Sequence, residues 1–386
     1  MHFLTLILAA PLLFQGVFAQ TFETDILAAK ALFNLATYTA QHGYPSGSCT
    51  LQNVAIRREW GALSARERKD YINAVKCLAS KPNKTPASQF PGARNRYDDF
   101  VATHMNQTLS IHGTGNFIGW HRYFTWAYEQ ALRNECGYKG YQPYWNWAKS
   151  AMDPLNSPMF DGSNTSMSGN GEYFFGNQSW VGIPTNDAPD IKIPKGTGGG
   201  CVRTGPFKDW QVNLGPVAPV LTYVEKNPDP SGLGTYYNPR CMRRDISQWT
   251  SSRWSKDSDI SSLINANTDI YPFWSLLQGV SSGYMGVHAA GHFTIGGDPG
   301  GDFYTSPGDP TFFLHHAQVD RTWWMWQNQD PVHRTYAVAG TITFSNTPPS
   351  RNATLDDLID LGVNGDAIKL RDTMSTLAGP FCYVYV

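Results

Sequence analysis

The chain has 386 residues, 41% of them apolar and 16% charged, and its 30 Lys and Arg against 31 Asp and Glu leave a net charge of -1. That balance excludes a disordered chain, and it lacks the positive excess needed to hold a phosphate backbone, so no nucleic acid is expected as a partner. The 13 Trp, 19 Tyr and 20 Phe form an aromatic load large enough to line a core or a pocket.

At the N-terminus, residues 2–19 read HFLTLILAAPLLFQGVFA. The apolar run Phe3–Leu13 is too short to span a membrane, and Val17 and Ala19 fit the small-residue positions before a signal-peptidase cut. We expect a signal peptide over 1–19, one domain over 20–386, and a secreted, extracellular product with no membrane partner after processing. Between 22 and 80 the pattern is helical, with Tyr71, Val75 and Leu78 at helical spacing. Residues 94–107 form a second candidate helix, with Tyr97, Phe100, Val101 and His104 on one side. The Gly-broken loop HGTGN follows, then a third helix from about Trp120 to Asn134. From 150 to 250 the chain is rich in Gly, Pro, Asn and Ser and has no sustained period, which predicts long ordered loops. Helical signals return over 271–292, and DPTFFLHHAQVDRTWWMWQ predicts a helix capped by Asp309 with Pro310 at its first position.

Six cysteines, Cys49, Cys77, Cys136, Cys201, Cys241 and Cys382, include no CxxC pair. In a secreted chain that favours three disulfides over zinc ligation, although sequence does not choose among the possible pairings. The working expectation is Cys49–Cys382, Cys77–Cys136 and Cys201–Cys241. Sequons at Asn83, Asn106, Asn164, Asn177 and Asn352 make these the expected glycosylation sites.

The chemistry lies in the histidines. Two sets of three stand out, His104, His112 and His121, then His288, His292 and His316. His288 and His292 are one helical turn apart and share a face. Three imidazoles leave a metal coordinatively open, as a catalytic or gas-binding site requires. The lack of a carboxylate disfavours magnesium, calcium and the non-haem iron triad. HAAGH lacks the glutamate of a zinc protease, and two facing sets of neutral imidazoles suit a pair of copper ions. His42 and His333 are expected at the surface, and Trp323, Trp324 and Trp326 in the core.

HGTGNFIGWHRYFTWAYEQALR, with its spacing His112-x8-His121, together with HAAGH and DPTFFLHHAQVDRTWW, resembles the two copper signatures of the tyrosinase and catechol oxidase (polyphenol oxidase) family. The likeness is greatest to the short, secreted fungal members of this type 3 dicopper group. These motifs span about 94–147 and 271–326, and a weaker likeness runs from Arg57 to the terminal Tyr383-Val-Tyr385. The resemblance implies a mainly α fold, a four-helix bundle around a dinuclear copper centre, with long loops and little β structure. It implies two copper ions per chain, one bound by His104, His112 and His121, the other by His288, His292 and His316. Of the adjacent His315 and His316, His316 shares a face with Asp320 one turn on, as the family's ligand does, and His315 is left as a second-shell or packing residue. Asp320 is expected to pair with Arg321 or to orient a ligand imidazole, and Phe312 to buttress the ligand rings or pack in the core.

The implied reaction oxidises small o-diphenols to o-quinones while O2 is reduced to water. At the positions where efficient monophenol hydroxylases of the family carry Glu and Asn, this chain has Gln278 and Ala289, which favours a catechol oxidase over a true tyrosinase. Gln cannot take a proton as a carboxylate can, and Ala offers no hydrogen bond. Phe293 is expected to narrow the entrance. Ser110 stands where many relatives have a cysteine cross-linked to the second histidine, so His112 is expected to be held by packing alone. The chain ends just past Tyr385, so no shielding C-terminal domain is expected. The rival readings are a true tyrosinase, a haemocyanin-like O2-binding protein, a non-catalytic binding protein that keeps the fold and a zinc hydrolase.

Overall fold

The computed structural model of the protein describes residues 21–46, 48–50, 53–175, 180–183, 190–279 and 283–386. The expected signal peptide and the sequon at Asn177 lie outside the described residues. The longer helices are α1 (Glu23–His42), α2 (Ala65–Leu78), α3 (Arg96–Ile111), α4 (Phe117–Cys136), α5 (Asp257–Ala266), α6 (Ile270–Gln278), α7 (Gly286–Ile295) and α8 (Phe312–Gln327). Among the described residues strand is confined to short two-stranded ladders, so the expected mainly α architecture is what the chain forms. Among the described residues no helix is long and apolar enough to cross a membrane.

Local chemistry sets the helix starts. Ser64 Oγ accepts from the Glu67 N–H at 3.3 Å while Glu67 accepts from the Ser64 N–H at 2.8 Å, a reciprocal box that opens α2. Asn95 caps α3 by accepting from the Asp98 N–H at 3.0 Å. At α8 the structure corrects the expectation. The helix begins at Phe312, and Asp309 and Pro310 lie in the preceding turn. Asp309 is held by Arg244 through bonds of 2.7 and 2.8 Å, and it accepts from the Thr311 N–H at 2.9 Å. Its carboxylate thus fastens the turn to the loop region and does not cap the helix.

The Gly-rich stretch from 150 to 250 is ordered by such contacts. Arg244 also donates to the Met167 and Ser168 carbonyls, at 2.8 and 3.0 Å. Arg240 pairs with the buried Asp298 at 2.6 Å, and Asp302 accepts from the Val217 and Ala218 N–H groups at 2.6 and 3.0 Å. All three disulfides have the expected pairing: Cys49–Cys382, Cys77–Cys136 and Cys201–Cys241, with Cα separations of 5.3, 5.9 and 5.6 Å. Asn106, Asn164 and Asn352 are exposed, whereas Asn83 is half-buried and donates to the Thr85 carbonyl at 2.9 Å.

α4 and α8 pack against each other, and α7 and α3 flank them. Below this bundle lies a buried polar cluster centred on Asp320. Its carboxylate accepts from Arg122 at 2.6 Å, Tyr383 at 2.5 Å, Tyr385 at 2.6 Å and Arg57 at 3.4 Å. Arg57 in turn reaches Glu129 on α4 at 3.0 Å. Arg57 belongs to a strand, Ala55–Arg57, that pairs in parallel with Tyr383–Tyr385. Asp320 therefore neither pairs with Arg321, which faces Asp25 at 3.7 Å, nor touches an imidazole. The physical reason is its place on α8: four donors from three other segments converge there and satisfy it.

Replacing Asp320 with Ala leaves two arginines buried without their common anion. The expected loss is roughly 3–5 kcal/mol of folding stability. Urea denaturation of the metal-free protein would measure it, and an unchanged midpoint would contradict the anchoring role.

Candidate metal centre

His104 lies on α3, His112 directly follows that helix as its C-cap, and His121 lies on the first turns of α4. Each ring is fixed by a backbone carbonyl. His104 Nδ1 lies 2.8 Å from the Tyr304 carbonyl, His112 Nδ1 2.9 Å from that of Thr108, and His121 Nδ1 2.8 Å from that of Phe117. A carbonyl only accepts, so each Nδ1 carries the proton, and each Nε2 keeps its lone pair. The Nε2 atoms of His104 and His121 are buried with no hydrogen-bond partner. Two buried imidazole lone pairs aimed at one another's surroundings without a donor fit a cation between them.

The second set comes from two helices. His288 and His292 stand one turn apart on α7, and His316 projects from α8. His292 Nε2 lies 3.2 Å from both His288 Nε2 and His316 Nε2, so three ring nitrogens converge. The two sets interlock: the His121 ring stacks on His316 at 4.5 Å, and His112 faces His288 at 6.1 Å. Phe312 stacks on His316 at 4.1 Å and meets His104 edge-on at 5.4 Å, touching both sets at once. The donors are all imidazole, with no carboxylate among them, which suits copper and disfavours hard cations.

His315 joins the second cluster without a partner role like the others. Its ring stacks on His288 at 5.6 Å, and its Nδ1 accepts from the Trp147 indole N–H at 3.1 Å. Gly291, between the two histidines of HAAGH, makes room for it: a Cβ there would stand 2.1 Å from His315 Cε1.

Gln278 ends α6, and its Oε1 accepts from the Gly113 N–H at 2.8 Å, bracing the residue after His112. Its Nε2 is buried and unpartnered. Ala289 packs in a small apolar cluster with Ile191, Ile193, Met285 and Ala290. Phe293, expected to narrow the entrance, packs against that cluster and lines an apolar crevice with Ile193, Pro194 and Leu221. The aromatic ring that stands on the histidines at the surface is Phe303, 4.7 Å from His112, 5.8 Å from Phe344 and 38% exposed. The sequence carried no signal for it, because Phe303 lies in a Gly-rich loop, GGDPGGDFY, without period or motif. That loop is placed by Asp302, which also accepts from the Tyr304 N–H at 2.8 Å, and the Tyr304 carbonyl is the one that holds His104. His42 and His333 are exposed, and Trp323, Trp324 and Trp326 are buried.

Comparison with known proteins gives a consistent pattern. Residues 94–329 match the family described as the common central domain of tyrosinase. Tyrosinase P of Aspergillus terreus is 41% identical over 338 residues, which cover 86% of this chain and 91% of that one. The tyrosinase-like protein orsC of Emericella nidulans is 46% identical over 320 residues, 80% of this chain and 84% of that one. A solved structure of a polyphenol oxidase mutant from Thermothelomyces thermophila superposes with a TM-score of 0.87 at 42% identity, covering 94% of this chain and 98% of that one.

Burial pushes every one of these imidazoles below the ordinary histidine value of 6.5, His112 to about 4 and His292 to about 3. For His104, His121, His288 and His316 burial is again the largest cause, and neighbouring rings add to it. A ring that stays neutral when folded but protonates near 6.5 when unfolded contributes stability that is complete above 6.5 and is lost as pH falls. The melting temperature of the metal-free protein should therefore drop as pH is lowered from 6.5 towards 4, the value for His112. A flat profile across that window in scanning calorimetry would refute it.

Proposed function

This chain belongs to the tyrosinase family of oxidoreductases, and on that premise we propose that it oxidises o-diphenols to o-quinones with little hydroxylation of monophenols. Two diphenols are consumed per O2, giving two quinones and two waters. The observation that carries the reading is the pair of interlocked histidine triplets, five rings buried and His292 half-buried, neutral and open to a further ligand. Their residues would hold two copper ions, one on His104, His112 and His121, the other on His288, His292 and His316. Copper, when bound, supplies the electron exchange between phenol and O2.

The chain's own part is positioning. Backbone carbonyls at Tyr304, Thr108 and Phe117 set the tautomer of the first three ligands before any metal arrives. Phe312 keeps the two sets in register by touching both. Phe303 offers an exposed ring edge beside His112, against which a small phenol can lie. Gln278 places an amide, not a carboxylate, next to the His112 loop, and Ala289 has no polar atom. No side chain at either position can take the proton of a monophenol.

We also propose that the protein is secreted after loss of residues 1–19. The three disulfides support this, since oxidising compartments sustain such bonds and the cytosol does not.

Oxygen uptake by copper-loaded protein, with a catechol and its matching monophenol, tests the activity. Uptake with the catechol alone is expected; prompt uptake with both would make this a tyrosinase in the full sense. The Gln278→Glu, Ala289→Asn double variant should gain monophenol turnover, and no gain would remove those two positions from the argument. Phe303→Ala should raise KM for catechol in steady-state kinetics, and an unchanged KM would remove Phe303 from the substrate's surroundings.

A further inference from the structure

Four imidazoles, not three, crowd the second half of the centre: one ring nitrogen each from His288, His292, His315 and His316 lies within 4.8 Å of the others. A fourth nitrogen ligand would close the coordination that chemistry at this centre needs open. His315 is fully buried and follows the same helix as His316, so distance alone does not keep it away. Something in the structure must silence it.

The hydrogen bonds supply that device. A neutral imidazole has one N–H and one lone pair. In His104, His112 and His121 a carbonyl takes the Nδ1 proton, so the lone pair on Nε2 is free for a metal. In His315 the arrangement is reversed. The Trp147 indole has only a donor to offer, and it lies 3.1 Å from His315 Nδ1. The Nδ1 lone pair is occupied by that bond, and the ring proton is left on Nε2, which is buried and has no hydrogen-bond acceptor of its own. Neither nitrogen then has a lone pair to give. Trp147 is itself fully buried in a short helix, Trp147–Ser150, and the Trp145 indole beside it is anchored to Ser150 Oγ at 2.9 Å. The ring it fixes fits only because residue 291 is glycine: a Cβ would lie 2.1 Å from Cε1 and 2.3 Å from Nδ1 of His315.

We propose that Trp147 is a positioning residue that locks His315 in the Nε2–H tautomer and so keeps a fourth imidazole off the second metal, with Gly291 providing the space for the locked ring. The inference rests on the reading of His288, His292 and His316 as copper ligands. His315 then acts as an inert spacer between α7 and α8. It stacks on His288 and meets His292 edge-on at 4.4 Å, which fixes the two ligand rings of α7 without competing for the ion.

Two measurements test this. The first needs no metal: a nitrogen–proton correlation spectrum of metal-free wild-type protein labelled at histidine. The expected result is a proton on Nε2 of His315 and on Nδ1 of His104, His112 and His121. A proton on Nδ1 of His315 would overturn the lock. The second is the X-ray absorption edge of the fully reduced copper protein, which separates three- from four-coordinate cuprous ions. In Trp147→Phe, one copper of the two should lose its three-coordinate signature, and the added change His315→Phe should restore it. An unchanged edge in Trp147→Phe, with copper bound in full, would overturn the inference. Wild-type protein that shows the locked tautomer yet takes up no copper would overturn instead the ligand assignment on which it rests.

Discussion

The carboxylate of Asp320 holds the site-bearing elements in one frame. It sits one turn beyond His316 on α8 and receives Arg122, the residue after His121 on α4. It also receives Tyr383 and Tyr385 from the last strand and Arg57 from the strand paired with them. Each of the two central histidine-bearing helices is thus pinned beside its histidine. An isolated carboxylate at this depth would be costly, and so would two isolated guanidinium groups. Together with Glu129 they neutralise and hydrogen-bond one another, so no member can leave alone. Arg122 extends the frame further, since its guanidinium lies 3.7 Å over the Trp323 ring and donates to the Thr373 and Met374 carbonyls. The disulfide Cys49–Cys382 closes the same region covalently, one residue before Tyr383.

Above this frame the centre is built by backbone as much as by side chains. Carbonyls fix the first three rings, and two of those carbonyls belong to the ring's own helix, four residues earlier. The third, at Tyr304, comes from a distant loop that depends on Asp302, and through the Arg240–Asp298 and Arg244–Asp309 pairs it depends on the Gly-rich region as well. The long loops between 150 and 250 therefore position the first histidine set even though they supply none of its imidazoles. Burial then keeps the imidazoles neutral, the state in which they can serve as ligands.

The histidines that the structure brings together were legible for simple geometric reasons. His288 and His292 recur at one helical turn, and His316 with Asp320 does the same, so a shared face follows from the helix pitch. Cysteine count and the absence of CxxC pointed to disulfides, and the pairing that closes the ends of the chain is the one that forms. The readings that changed are those in which the answer lies far away in the chain. Asp320 looked like a partner for Arg321 or a ligand ring because its true donors are up to 263 residues distant. Asp309 looked like a helix cap because Arg244 is 65 residues away. Phe303 went unseen because a Gly-rich loop has no period from which to read a direction.

By itself, then, the amino-acid sequence determined the helical class, the six histidines in two sets, and the all-imidazole donor set that favours copper. These depend on local spacing and on side-chain chemistry, both of which survive without knowledge of the fold. Only the tertiary structure decided which nitrogen of each ring is free, which aromatic stands at the surface of the centre, and which of two adjacent histidines has its lone pair occupied. Those outcomes depend on single hydrogen bonds and contacts between segments that the chain brings together only on folding, such as Trp147 with His315 and Tyr304 with His104.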